Sequence, residues 1–185
     1  IRNKAMQEIS LNVLDIAQNS ISAGARLVSI CAQEDTSAGL LTIVIADDGR
    51  GMTAEQAAHV TDPFYTTRTT RRVGLGVPFF KMASEMTGGE FAIDSHPGEG
   101  TAVRAVFHTG HIDCMPLGDL EETVFTLVTL NPDIDFRYER VIDGERSILD
   151  TREFREILGD VPLNEPEVTQ FIRDYLNENF PHGGQ

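Results

Sequence analysis

The 185-residue chain has a net charge of −14, with 41% hydrophobic and 24% charged residues, which is ordinary for a soluble globular protein. An acidic balance this large argues against nucleic acid as the main partner, because phosphate backbones bind basic surfaces. The longest apolar run, 40–46, is too short to cross a bilayer, so we expect no membrane segment in this chain. Two cysteines, Cys31 and Cys114, lack metal-ligand spacing and favour a reduced, cytoplasmic setting.

The first part of the chain predicts seven elements in the order α-β-β-α-α-β-β. They are a helix at 6–23, strands at 26–33 and 40–46, a short helix after Met52 capped by Thr53, a helix at 76–86, and strands at 88–95 and 100–108. This order predicts a two-layer α/β (α+β) sandwich, in which helices cover one face of a mixed, mostly antiparallel sheet.

After His108 the pattern restarts, and the charge changes with it. Residues 1–112 carry a net charge of −3, whereas residues 113–185 carry −11. We therefore predict a first domain at 1–110 and a small acidic α/β region at 111–185. The predicted elements of this region are a helix at 118–130, a hairpin turning at Asp143-Gly144, and helices at 151–158 and 165–180. Two interpretations remain open: an appendage that packs on the sheet and stabilises it, or a docking module for a basic or redox partner.

The segment "LDIAQNS" (14–20) places two polar side chains on one helix face. Asp15 and Asn19 are four residues apart, which is about one helical turn. A carboxylate can orient or deprotonate a nucleophile, and an asparagine carbonyl can ligate Mg²⁺. Without further signals, the same pair is typical of a polar stripe on a half-buried helix.

Two glycine-containing segments each follow a predicted strand. "ADDGRGM" (46–52) places Asp47 where a carboxylate could accept an amino proton from a purine ring, and its glycines allow a close backbone approach. The alternative is a tight Asp-Gly turn. "PGEGT" (97–101) lies between two strands and by itself indicates a hairpin turn.

The segment "RRVGLGVPFFK" (71–81) carries Gly-Leu-Gly at the start of a helix, where free amides and the helix dipole favour phosphate. The basic residues nearby could add charge-assisted contacts to phosphate; they are Arg68, Arg71, Arg72 and Lys81. The spacing is not that of a P-loop. A lone Gly-x-Gly is equally typical of a flexible loop.

In their joint order, these motifs resemble the ATP-binding fold shared by gyrase, Hsp90, histidine kinases and MutL, over about residues 6–108. The segment 62–101 looks most like the catalytic domain of bacterial sensor histidine kinases, whereas "QNSISAGA" (18–25) is similar to the MutL form of the first motif. The resemblance implies that ATP lies between the helices and the sheet, under a lid anchored by Phe64. Asn19 would hold Mg²⁺, Asp47 would bind the adenine amino group, and Asp15 would be the catalytic residue.

The resemblance implies the following nucleotide-binding residues: Asn19, Asp47, Gly49, Gly51, Met52, Phe64, Thr67, Arg68, Arg72, Gly74, Leu75, Gly76, Val77, Lys81 and Thr101. Two positions depart from the family pattern. Arg72-Val73 precedes Gly74 where many histidine kinases have Gly-Thr, so we expect a stiffer lid hinge. Asp15 stands where water-splitting members carry Glu and many histidine kinases carry Asn.

Three activities are compatible with this resemblance. The first is the Mg-ATP-binding domain of a histidine kinase-like protein in two-component signalling, with its phosphoacceptor histidine outside this chain. None of the five histidines, which are His59, His96, His108, His111 and His182, lies in a phosphoacceptor context. The alternatives are an ATPase or ATP-gated regulatory switch, and a serine/threonine kinase of the anti-sigma type. Each implies an ATP-dependent kinase or ATPase with a protein partner, either a phosphoacceptor or a regulatory target, and allows a homodimer.

Overall fold

A computed structural model describes residues 8–64 and 75–181 of the chain. The helices are α1 (Ile9–Ser22), α2 (Ala54–Val60), α3 (Gly76–Met86), α4 (Leu120–Leu130), α5 (Thr151–Leu158) and α6 (Pro166–Asn179). The strands are β1 (Leu27–Asp35), β2 (Leu40–Asp47), β3 (Glu90–His96), β4 (Gly100–His108), β5 (Asp135–Ile142) and β6 (Glu145–Asp150). No helix within these two ranges is both long and apolar enough to cross a membrane.

The strands form one six-stranded sheet in the order β3-β4-β2-β1-β5-β6. Neighbouring strands are antiparallel except for β1 and β5, which run parallel with Ile30 opposite Tyr138. The C-terminal region therefore extends the sheet of the first region by two strands. The predicted mixed, mostly antiparallel sheet is confirmed.

The helices cover one face of this sheet because buried and exposed side chains alternate along its strands. In β1 and β2, the alternate buried residues, such as Ile30 and Ile43, are at most 2% exposed, and the residues between them are partly exposed. The same face carries Phe107, whose ring lies 5.5 Å from that of Phe80 in α3. Each such fully buried side chain contributes about 1.5–3 kcal/mol of hydrophobic stabilisation.

The C-terminal region shares this core and adds polar contacts of its own. The ring of Tyr138 in β5 stacks on Phe180 with centroids 4.9 Å apart, and its hydroxyl donates to Glu121 Oε1 in α4 at 2.8 Å. Across the parallel strand pair, Arg140 forms an ion pair with Glu34. The contacts of Tyr138 fasten Phe180 and α4 to β5, and the Arg140–Glu34 pair together with the β1–β5 pairing joins the acidic region to the first region.

Candidate functional site

A cavity of about 550 Å³ lies between α1 and the adjoining ends of β2 and β4. Its volume is within the range of small-molecule sites. Its apolar wall is formed by Ile16, Ile45, Val60, Val77, Ile93 and Val103. Its polar side chains are Asn19, Ser20, Ser22, Asp47, Arg50 and Thr101. An apolar slot with a few polar groups suits a flat, partly polar ring system.

Asp47, the last residue of β2, has a carboxylate held from two sides. The Ser20 hydroxyl donates to its Oδ2 at 2.6 Å, and the Gly49 amide donates to its Oδ1 at 2.9 Å. Ser20 is only 3% exposed, so its hydroxyl has little access to water. A carboxylate oriented in this way can accept a hydrogen bond from an amino group of a bound ligand.

The neighbouring Asp48 has a structural role instead. Its Oδ1 accepts hydrogen bonds from the backbone amides of Arg26 at 2.7 Å and Leu27 at 2.9 Å. Partial burial alone would raise the pKa of Asp48, but backbone amide hydrogen bonds and the Arg26 charge together outweigh it and hold the pKa below its ordinary value. Asp48 therefore fastens the start of β1 to the end of β2, whereas Asp47 lines the cavity.

Gly51, after β2, and Gly100, the first residue of β4, allow a close backbone approach at the cavity rim. Gly51 has φ +66°, and a Cβ there would lie 1.9 Å from the carbonyl oxygen of His96. Gly100 has φ +101°, and a Cβ there would lie 1.9 Å from the carbonyl oxygen of Asp47. Any side chain at either position would collide with backbone. These two glycines thus allow the backbone contacts that build the cavity rim.

A second serine, Ser95 in β3, ties Thr101 into the same rim. Its Oγ accepts from the Met52 amide at 2.8 Å, donates to the Gly100 carbonyl at 3.0 Å and lies 2.8 Å from Thr101 Oγ1. Sequence reasoning missed both Ser20 and Ser95. Ser20 carried one usable signal, because it lies four residues after the apolar Ile16, on the buried side of the predicted helix.

Asp15 lies where α1 meets the start of α3. A Cβ on Gly76 would lie 2.8 Å from the Asp15 Cβ, so the glycine allows α3 to approach α1 closely. Partial burial raises the pKa of Asp15 above its ordinary value. The N-cap of α3 is Leu75, whose side chain makes no capping hydrogen bond. Pro78 has no amide N–H, so Gly76 and Val77 supply the first-turn amides of α3, and Leu75 does not cap them.

The structure places the predicted site residues in three groups. Those that line the cavity are Asn19, Asp47, Gly51, Met52, Val77 and Thr101. Those that lie outside the cavity lining are Asp15, Gly49, Phe64, Leu75, Gly76 and Lys81. Of these, Gly49 donates its amide to Asp47 in the cavity wall, and Phe64 is 90% exposed. Those that lie outside the described residues are Thr67, Arg68, Arg72 and Gly74.

The described part of the chain holds no cluster of three or more His, Cys, Asp or Glu side chains that could hold a metal ion. Asn19 is half-buried in the cavity wall, and its side-chain amide oxygen is the atom that could ligate a metal ion. A hard cation at this position would need most of its oxygen ligands from a bound phosphate ligand and from water.

Comparisons with known proteins agree with this architecture. Residues 3–111 match the family model described as histidine kinase-, DNA gyrase B-, and HSP90-like ATPase. The chain is 27% identical over 118 residues to the cell-division control histidine kinase PdhS of Brucella abortus, covering 57% of this chain and 11% of that protein. The chain thus spans about a tenth of the length of this relative.

Two solved structures have a similar fold. One is the topoisomerase IV ATP-binding domain of Francisella tularensis in complex with a small-molecule inhibitor (TM-score 0.51, 17% identity, 77% of this chain and 87% of that chain). The other is the Aquifex aeolicus MutL ATPase domain complexed with ADP (TM-score 0.51, 11% identity, 91% of this chain and 88% of that chain). The resemblance predicted from the motifs, and the fold it implied, are confirmed.

Proposed function

This chain belongs to the histidine kinase-, DNA gyrase B-, and HSP90-like ATPase family, and from that premise we propose that it binds Mg-ATP in the cavity beside Asp47 for phosphotransfer to a partner. The observation that carries the proposal is the orientation of the Asp47 carboxylate by Ser20 and Gly49. The adenine amino group is a donor, and this carboxylate is an acceptor that faces an apolar slot.

The phosphates would lie at the start of α3. The Leu75 side chain does not cap this helix, and a helix N-terminus favours negative charge. Asn19 lies one turn from Asp15 on α1 and would offer its amide oxygen to Mg²⁺. Lys81, in the next turns of α3, is half-buried and would have to reach back toward the phosphates.

An exposed apolar stripe on α3 supports a protein partner. Leu75, Phe79, Met82 and Met86 are 44%, 37%, 46% and 53% exposed, and their spacing of four, three and four residues places them on one helix face. A partner helix on this stripe would lie close to the proposed phosphate position. We propose that a partner protein carries the phosphoacceptor histidine in the cytoplasm. None of the described histidines lines the cavity.

Asp15 supports ATP hydrolysis as a second candidate function. Its pKa is raised by partial burial, and it lies against Gly76 at the proposed phosphate end of the site. A carboxylate with a raised pKa is a better proton acceptor for an attacking water. The protein would then be an ATPase or an ATP-gated switch.

The test compares three variants for ATP affinity and for phosphate release. Asp47→Asn replaces the proposed adenine acceptor with an amide, and Asp15→Asn removes the proposed base. Asp133→Asn, the control, alters an exposed carboxylate outside the cavity lining. We expect ATP affinity to fall strongly only in Asp47→Asn. Unchanged affinity in that variant would refute the proposed binding mode.

The same variants separate the two activities. If Asp15→Asn abolishes phosphate release and keeps ATP affinity, hydrolysis is the function. If the wild type releases no phosphate, and an added partner acquires acid-labile phosphate, phosphotransfer to histidine is the function. Acid-stable phosphate on the partner would instead identify a serine/threonine kinase. Binding without any of these products would contradict both activities.

A further inference from the structure

The helix pair α5–α6 exposes large apolar side chains on the acidic half of the chain. Ile157 is 82% exposed, Phe171 is 49% exposed, and Val161 in the connecting loop is 43% exposed. Phe171 packs edge-on against Phe154 with ring centroids 5.5 Å apart. Ile157 follows Phe154 by three residues, so it lies on the same side of α5. We call the region that carries the exposed side chains of Ile157, Val161 and Phe171 the α5–α6 surface.

A groove runs along the loop side of the α5–α6 surface. Its volume is about 670 Å³. Its walls combine apolar Val161, Pro162 and Val168 with the carboxylates of Asp160, Glu165 and Glu167. An apolar groove with an acidic rim is unlike the polar surface that a helix pair normally presents to water.

The carboxylates of the α5–α6 surface are not neutralised by the basic residues of the same segment. The three basic residues of 151–181 already pair with carboxylates outside that range: Arg152 with Asp150 at 2.6 Å, Arg155 with Asp135 at 2.7 Å, and Arg173 with Glu122 at 2.8 Å. The following carboxylates form no ion pair within the described part of the chain: Glu153, Glu156, Asp160, Glu165, Glu167 and Asp174.

We propose that the α5–α6 surface docks a Lys/Arg-rich amphipathic segment of a partner protein. The apolar side chains of that segment would cover Ile157, Val161 and Phe171, while its cations would pair with the surrounding carboxylates. Charge selects this occupant. Nucleic acid and anionic membranes carry the wrong sign, and a second copy using the same face would bring like charges together. The proposal does not depend on ATP binding.

Fluorescence anisotropy with a labelled 18-residue Leu/Lys amphipathic helical peptide, added to the full chain, tests the proposal. Two double variants alter the surface: Asp160→Asn/Glu165→Gln removes charge from the groove, and Ile157→Ser/Val161→Ser removes exposed apolar groups. We expect each to weaken peptide binding at least about fivefold, since both charge-assisted and apolar contacts contribute. Raising the salt concentration should weaken the wild type and affect the first variant less.

Control variants carry comparable substitutions outside the α5–α6 surface. Glu85→Gln/Glu99→Gln removes two exposed carboxylates from the first region, and Ile112→Ser removes an apolar side chain that is 94% exposed. Both should bind the peptide within about twofold of the wild type. Equal losses in controls and surface variants would mean attraction to bulk charge and would overturn the proposal, as would a peptide that does not bind. Self-association or binding to anionic vesicles that only the surface variants abolish would assign the surface to those occupants instead.

Discussion

Replacing Ser20 with alanine should weaken ATP binding through Asp47. The Ser20 hydroxyl donates to Asp47 Oδ2 at 2.6 Å, and Ser20 itself is only 3% exposed. Without it, the carboxylate keeps only the Gly49 amide at 2.9 Å among its described partners. ATP would then have to order a carboxylate that is already ordered in the wild type.

The size of this effect follows from the strength of the hydrogen bond. A hydrogen bond to a charged group is worth about 1.5–3 kcal/mol. Because the Gly49 amide retains part of the orientation, we expect a loss of about 1–2 kcal/mol, or about a five- to thirtyfold higher Kd. Titration calorimetry with a non-hydrolysable ATP analogue measures this loss directly.

Two comparisons make the test decisive. Ser84→Ala removes an equally buried helix hydroxyl, which donates to the Lys81 carbonyl at 2.9 Å, and it should leave the Kd unchanged. In an Asp47→Asn background, Ser20→Ala should add little, because the acceptor that it positions has already been altered. A Kd within twofold of the wild type for Ser20→Ala, or full additivity in the double variant, would refute the positioning role.

Three further predictions concern helix packing, acid stability and the core. Gly76→Ala places a Cβ 2.8 Å from the Asp15 Cβ and should lower both ATP affinity, measured by calorimetry, and stability, measured by thermal melts. Gly110 has open space around it, so Gly110→Ala should change neither quantity. The pKa of Asp48 is lowered in the folded state, so its contribution to folding stability is present above about pH 4 and is lost as pH falls through the folded pKa. When the pH is lowered from 7 to 3, the urea midpoint of Asp48→Asn should therefore fall less than that of the wild type. Phe80→Ala removes a fully buried ring beside Phe107 and should cost about 3–5 kcal/mol of unfolding free energy, with an unchanged urea midpoint contradicting this packing.

Local pattern was sufficient to predict the elements of this chain. Hydrophobic periodicity and turn residues depend on neighbours within a few positions, and the structure confirms the predicted order of helices and strands. The predicted cap at Thr53 is present as a capping box with Gln56, and α3 spans Gly76–Met86 as predicted. The order of the motifs also led to the family, because each motif combines particular residue types with a position at the end of a helix or strand.

The long-range pairings required the tertiary structure. Sequence pattern did not predict that β5 would pair in parallel with β1, because strand register depends on which buried faces pack together over the whole sheet. Nor did it predict the Ser20–Asp47 hydrogen bond, which joins side chains 27 residues apart. Asp47 and Asp48 are adjacent and chemically identical in the sequence. Only the folded chain separates their roles, since one carboxylate lines the cavity with Ser20 and the other accepts the amides that begin β1.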